Sequence, residues 1–309
     1  MYKVFLVSVF VVLYMATVTT AASIKIVNGD NADIEDHPWM VSLQIRNGGV
    51  NFTHECGGTI IDKNWVLTAG HCNIIFPPHK AKNMQIAAGS SFKSQMKEII
   101  PVKKYYIHES FDTGKNFLQN DLMLLELQKP LTFGSTINKI DLDTNVGHNY
   151  TGEVCTITGW GDKDAARRGN FPDRLQVHSM PVVTTEYCRS TWTLFWKYPL
   201  FPEAYWNKLI CLQDNDKDSC QADSGGPVVC SNKLVGALSF GSTPCDGRRP
   251  SVHTRISAFL DWIKDKMNTK NNKNQKDKKK KKNDKGKSDG KGKSEGKGKS
   301  GEKGKGKTN

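Results

Sequence analysis

The 309-residue sequence predicts an all-β chain closed by one short helix and followed by an unstructured basic extension. Three observations lead there. Apolar runs of four to eight residues, many rich in Val, Ile, Leu and Thr, recur between turn residues, which favours strands over helices. Only Ser257 to Met267 carries apolar residues at helical spacing, with Phe259, Leu260, Trp262 and Ile263 on one face. The segment from Asn268 to Asn309 holds almost nothing apolar and so cannot join a core.

Taken in order, Met1 to about Ala22 has a lone Lys3, an apolar stretch from Val4 to Met15, and small residues through Thr20, Ala21 and Ala22. This pattern reads as a secretory signal peptide, since its core is shorter than the roughly 20 apolar residues of a membrane span. No later segment is long enough to span a bilayer. The strand candidates follow: Met40 to Gln44, Gly58 to Ile61, Trp65 to Ala69, Leu122 to Leu127, Val154 to Thr158, Pro227 to Cys230 and Leu234 to Phe240. Such a series most often forms a sandwich or a barrel, because those arrangements manage strand edges. Beyond the helix the tail opens with Lys278 to Lys282 and then repeats Gly-Lys-Ser-Asp-Gly-Lys from Gly286, with a second and a degraded third copy. Self-repulsion and the lack of an apolar face predict disorder for 268–309.

Charge divides the chain in the same place. The net charge is +13, and the tail alone holds 17 lysines against five acids, so the body is nearly neutral. A nucleic-acid-binding body therefore loses its main support. The tail reads either as a solvated extension or as an electrostatic tether to a polyanion such as a glycosaminoglycan, an acidic surface or nucleic acid. The body is long enough to bury a sizeable core as one unit.

Cys56, Cys72, Cys155, Cys188, Cys211, Cys220, Cys230 and Cys245 all lie in the body. An even count in a secreted chain implies disulfides, although spacing does not choose among the connectivities. A zinc site is the weaker reading, because no short-spaced Cys/His quartet occurs. Asn51-Phe52-Thr53 and Asn149-Tyr150-Thr151 match the N-glycosylation acceptor pattern.

Three segments are candidates for chemistry: Thr68-Ala69-Gly70-His71-Cys72, Asn120-Asp121-Leu122, and Asp223-Ser224-Gly225-Gly226-Pro227. Singly they read as a core histidine, a strand-end cap and a tight turn. Together, and with Ile26-Val27-Asn28-Gly29, Cys56-Gly57-Gly58 and Gly159-Trp160-Gly161, the sequence from Ile26 to about Met267 resembles the trypsin/chymotrypsin family of serine peptidases.

The resemblance implies two packed six-stranded antiparallel β-barrels with the active site between them. It also implies Ser224 as nucleophile, His71 as general base and then acid, and Asp121 as the group that orients His71, with Ser239 bonded to Asp121. The backbone N–H groups of Ala222 and Ser224 would stabilise the oxyanion. The implied bridges are Cys56–Cys72, Cys155–Cys230, Cys188–Cys211 and Cys220–Cys245. Cleavage after Lys25 would free Ile26 to pair with Asp223, so that residues 1–22 are signal peptide, 23–25 a short activation peptide and 26–267 the peptidase domain.

Asp218, six residues before Ser224, matches the base of the family's primary pocket, where a buried carboxylate favours a substrate guanidinium or ammonium. Read without the resemblance, it is a solvated acid among Asp214, Asp216 and Asp218. Ser239, Phe240, Gly241 and Ser251 complete the implied substrate-binding set. Ser251 replaces a glycine and should narrow the pocket, which leaves cleavage after Arg, less readily Lys. Ala222 also replaces a glycine, and its methyl should strain the backbone without removing the N–H. Ser90 stands where calcium-binding relatives carry an acid, and the loop after it has almost no carboxylate but Glu98, so no calcium site, metal or other cofactor is expected.

The 22 residues between Cys188 and Cys211 include Trp192, Leu194, Phe195, Trp196, Tyr198, Leu200, Phe201, Tyr205 and Trp206, which either pack on themselves or present a recognition patch. The expected partners are protein or peptide substrates and protein protease inhibitors, for a secreted, extracellular monomer. The competing reading is a catalytically weak, protease-like binding protein anchored by its basic tail. A cut after Lys would also degrade that tail, so either the tail is trimmed or Arg is favoured.

Overall fold

The structure is a computed structural model that describes residues 29–268 except 75–78, 114–117, 197–201 and 216. The expected signal peptide, Lys25, Ile26 and the tail from residue 269 lie outside the described residues.

The chain enters through β1 (Asp30–Asn31) and then builds a closed antiparallel barrel from β2 (Met40–Ile45), β3 (Thr53–Asp62), β4 (Trp65–Thr68), β5 (Met84–Ala88), β6 (Glu98–Ile107) and β7 (Met123–Leu127). Their order around the barrel is β2-β3-β4-β7-β6-β5. Seven further strands follow: β8 (Asp141–Leu142), β9 (Val154–Gly159), β10 (Gln176–Pro181), β11 (Leu209–Leu212), β12 (Pro227–Cys230), β13 (Lys233–Phe240) and β14 (Ser251–Arg255). With β1 they form an eight-stranded sheet in the order β1-β10-β9-β12-β13-β14-β11, and β8 lies parallel to β13. Its six longer strands curl until the ends meet. Val182 just past β10 bridges Leu212, Val183 N donates to Cys211 O at 2.9 Å, and Gln213 N donates to Pro181 O at 3.1 Å. The expected pair of six-stranded barrels is thus present, the second carrying two extra short strands.

All seven expected strand segments fall within or overlap strands. The run through β7 illustrates why its residues are apolar on both faces. Met123, Leu125 and Leu127 fill the first barrel. Leu122 and Leu124 face the other way, into a cluster with Leu234, Ala237, Phe259 and Ile263 that joins the barrels and the last helix. A strand buried on both sides reads as a continuous apolar run. Asp121 consequently sits where this doubly buried strand opens onto the junction.

Two helices precede the last strands, α1 (Thr185–Trp196) and α2 (Glu203–Trp206). After a 3-10 turn at Ile256–Phe259, α3 occupies 260–268, in place of the expected helix from Ser257 to Met267. The sequence reading found helical periodicity only at that end, and α1 corrects it. Cys188 and Trp192, one turn apart, are its deeply buried side chains, too few to make an apolar stripe. Its start is nevertheless capped, because Tyr187 N donates to Thr184 Oγ1 at 3.1 Å. The Cys188–Cys211 disulfide then pins it to β11. No helix among the described residues is long and apolar enough to cross a membrane.

Candidate active site

His71 lies in a 3-10 turn, Gly70–Asn73, directly after β4, and the Cys56–Cys72 disulfide staples that turn to β3. Asp121 is buried and reaches it twice: Oδ1 accepts from His71 N at 2.8 Å and Oδ2 lies 2.7 Å from His71 Nδ1. Ser239, in β13, donates its hydroxyl to the same Oδ2 at 2.6 Å, and Thr254 Oγ1 donates to Asp121 O at 2.8 Å. A carboxylate only accepts, so the His71 proton resides on Nδ1 and leaves Nε2 with a free lone pair. That lone pair is what a general base requires.

Ser224 arrives from the other barrel, on the turn before β12. Its carbonyl accepts from Gly57 N at 2.9 Å, a hydrogen bond that crosses between the barrels. Gly225 makes the approach feasible. It has φ +74°, and a Cβ there would stand 2.7 Å from Ala69 N and overlap Thr68 Oγ1. His71, Ser224, Ser239, Phe240 and Gly241 therefore line one cavity of about 220 Å³.

Among the described residues, neither Ala222 N nor Ser224 N donates to a backbone acceptor. Ala222 adopts φ +72°, the left-handed region that a methyl disfavours. The strain expected from the sequence is thus present in the resting backbone.

Asp223 is buried beneath this turn. Oδ1 accepts from Gly161 N at 2.7 Å and Oδ2 from Cys220 N at 3.0 Å. Burial pushes its carboxyl up to about 6, partly offset by those two amides and by Lys93. His54 is half-buried, with Nδ1 2.8 Å from Ser42 Oγ, and burial lowers it to about 3. Ile26, the expected partner of Asp223, lies outside the described residues.

Asp218 is fully buried, and among the described residues neither carboxylate oxygen finds a well-formed hydrogen bond. Burial pushes its carboxyl up to about 8, only partly offset by the nearby amides of Ser219 and Gly247. Ser219 lines the cavity, and its chain neighbour Asp218 is not part of the lining. Ser251 is buried in β14, its hydroxyl 3.2 Å from Leu212 O and 3.0 Å from His253 Nε2, and it does not reach the cavity wall. The aromatic segment divides. Trp192, Tyr205 and Trp206 are buried, with Trp192 edge-on to Phe240 at 5.3 Å, whereas Leu194 is 79% exposed.

All four implied disulfides are present: Cys56–Cys72, Cys155–Cys230, Cys188–Cys211 and Cys220–Cys245. Cys56 and Cys72 crowd His71, but as a disulfide they offer a metal no thiolate. Asn51 and Asn149 are exposed, the latter in a turn closed by Thr151 N donating to Asn149 Oδ1 at 3.0 Å. Sequence reading did not anticipate Arg167, Gln221 and Thr243 in the cavity wall, or the sequestered Nε2 of the half-buried His54. They belong to no motif, and only loop closure brings the first three together.

The family model described as Trypsin matches residues 26–263. Trypsin-1 of Astacus astacus is 35% identical over 248 residues, covering 77% of this chain and 98% of its own. Trypsin iota of Drosophila melanogaster is 32% identical over 244 residues, covering 79% and 89%. The fibrinolytic enzyme, isozyme C, of Lumbricus rubellus is 32% identical over 251 residues, covering 78% and 99%. The match spans both barrels and the cleft between them, and the chain belongs to the trypsin family as a serine-type endopeptidase.

Proposed function

We propose that this chain is a secreted endopeptidase that hydrolyses peptide bonds after Arg, and less readily after Lys, through a Ser-His-Asp acyl-enzyme mechanism. The observation that carries the substrate preference is Asp218, a fully buried carboxylate with no well-formed hydrogen bond, one residue from the wall of the cavity that holds Ser224. A substrate cation supplies the charge partner such a group lacks, and the planar fork of Arg supplies two donors.

In this mechanism Ser224 Oγ attacks the substrate carbonyl while His71 Nε2 takes its proton. Asp121, held by Ser239, keeps the His71 proton on Nδ1 and stabilises the imidazolium that forms. The developing oxyanion accepts from the amides of Ala222 and Ser224. His71 then returns the proton to the leaving amine, and water repeats the sequence to release the acid. Cleavage after Lys25 provides the Ile26 ammonium to Asp223, whose buried carboxyl is otherwise held toward its neutral form. The domains are 1–22 signal peptide, 23–25 activation peptide, 26–267 peptidase and 268–309 tail. Asn51 and Asn149 carry glycans, protein inhibitors occupy the same cleft, the enzyme is a monomer, and the tail binds a polyanion.

The strained Ala222 favours the second reading, a catalytically weak binding protein. Because that strain already exists in the resting backbone, it costs stability more than turnover. Chromogenic peptides ending in Arg, Lys, Phe and Ala, presented to chain cleaved after Lys25, decide the matter with Ser224→Ala as control. Turnover on Arg above Lys, lost in the control and changed less than about tenfold by Ala222→Gly, is expected. Turnover on none of them, restored by on the order of 10²-fold or more in Ala222→Gly, would establish the weak protein instead.

A further inference from the structure

Arg167, Arg168, Arg248 and Arg249 lie on two loops that contribute to the cavity wall, and they differ in how their charge is met. Arg168 Nε lies 3.3 Å from Asp164 Oδ2, and Arg248 Nε lies 3.4 Å from Asp246 Oδ2. The Arg249 guanidinium stacks 3.8 Å from the Phe195 ring centre. Arg167 meets only a neutral group: Nη1 donates to Thr243 Oγ1 at 2.9 Å. No carboxylate among the described residues forms an ion pair with it, and it is exposed in the wall of the cavity that holds His71 and Ser224.

Its position is built, not incidental. Asp162 is fully buried and accepts three amides of the loop, Asp164 N at 2.9 Å, Gly169 N at 2.7 Å and Asn170 N at 2.9 Å. Asp162 N donates to Gln221 O at 2.8 Å and Cys245 N to Ala165 O at 3.0 Å, so both walls of the pocket hold the loop. Ala165 packs on the Cys220–Cys245 disulfide. Within this frame Arg167 takes φ +58°, a left-handed turn that directs the chain back after Arg167 N donates to Asp164 O at 2.7 Å. A non-glycine residue in that conformation is held there by its surroundings.

We propose that Arg167 is a specificity-determining residue that selects substrates with an acidic side chain close to the scissile bond and rejects those with neighbouring cations. This rests on the endopeptidase reading above and adds a second charge rule to it. Asp218 takes the basic residue, and Arg167 judges the residues beside it. A guanidinium without an internal counter-ion gains a charge-assisted pair with a substrate carboxylate and repels an ammonium. The same repulsion acts against lysine runs such as 278–282, so the enzyme spares its own tail.

The test uses activated full-length chain and a peptide library with every residue at every position, the cut sites being identified by mass spectrometry. For wild type, acids flanking the cut should be enriched about two- to fivefold over neutral residues, the range of an exposed pair, and cations should be depleted. Arg167→Gln should level both effects, Arg167→Lys should retain them, Arg167→Glu should invert them, and high salt should flatten the wild-type profile. Cleavage after basic residues with a flanking profile that Arg167→Gln leaves unchanged overturns the proposal alone. A flanking preference that follows Arg167 after non-basic cut sites overturns the Asp218 reading alone. A chain that cleaves no peptide overturns both.

Discussion

Asp218 ties substrate choice to folding stability, because a carboxylate shut away from water and only weakly compensated by nearby amides is costly to ionise. Its carboxyl is pushed from 3.8 to about 8, and that of Asp223 from 3.8 to about 6. Between about pH 4 and the raised value the unfolded chain has released a proton that the native chain retains. The native state thus loses stability as pH rises, from about 4 to 6 through Asp223 and from about 4 to 8 through Asp218. In a Ser224→Ala background, Asp218→Asn should flatten the upper part of this decline and leave the variant more stable at pH 8, on the order of several kcal/mol. Urea titrations at pH 5 and pH 8 read this directly, and parallel profiles for the two proteins would refute it. The gain in stability should accompany loss of Arg preference, which marks Asp218 as a residue kept for binding. His71, Asp121 and Ser224 were legible as candidates because each sits in a distinctive segment, whereas Ser239 was named only through the family resemblance. Arg167 and Thr243 were not, since nothing local marks two residues 76 apart as hydrogen-bonded.

Secondary structure was legible where one face or both faces of an element are buried. β2, β4, β7, β9, β12 and β13 announce themselves as apolar runs, whereas β6 alternates buried Ile100 and Val102 with exposed Ile99 and Pro101 and carries polar residues. α1 was hidden because a cap, a disulfide and one large aromatic hold it in place of an apolar stripe. Trp192 is 1% exposed, donates Nε1 to Pro250 O at 3.1 Å, and meets Phe240 edge-on at 5.3 Å. Trp192→Ala should cost about 3–5 kcal/mol of stability, measured by urea unfolding of the Ser224→Ala protein. Since Phe240 also lines the cavity, the same substitution in active enzyme should raise KM more than it lowers kcat. An unchanged KM would mean that α1 supports the fold without shaping the cleft.

For the molecule entire, the nearly neutral body and the lysine-rich tail should separate cleanly in function. Truncation after Met267 should leave peptide turnover and thermal stability unchanged while abolishing salt-dependent retention on heparin, because the tail carries almost all of the +13 net charge. Equal retention of the truncated chain would place the polyanion contact on the body. The sequence by itself determined the β-rich architecture, the division between body and tail, and the motif segments around His71, Asp121 and Ser224, since strand patterning, charge and turn chemistry are local properties. Only the tertiary structure decided that β7 feeds two cores, that Gly57 N clasps Ser224 O across the barrels, that Asp218 is sealed from water, and that Arg167 faces the cleft without a counter-ion among the described residues. Burial and pairing depend on residues far apart in the chain, and no local pattern encodes the distance that closes between them.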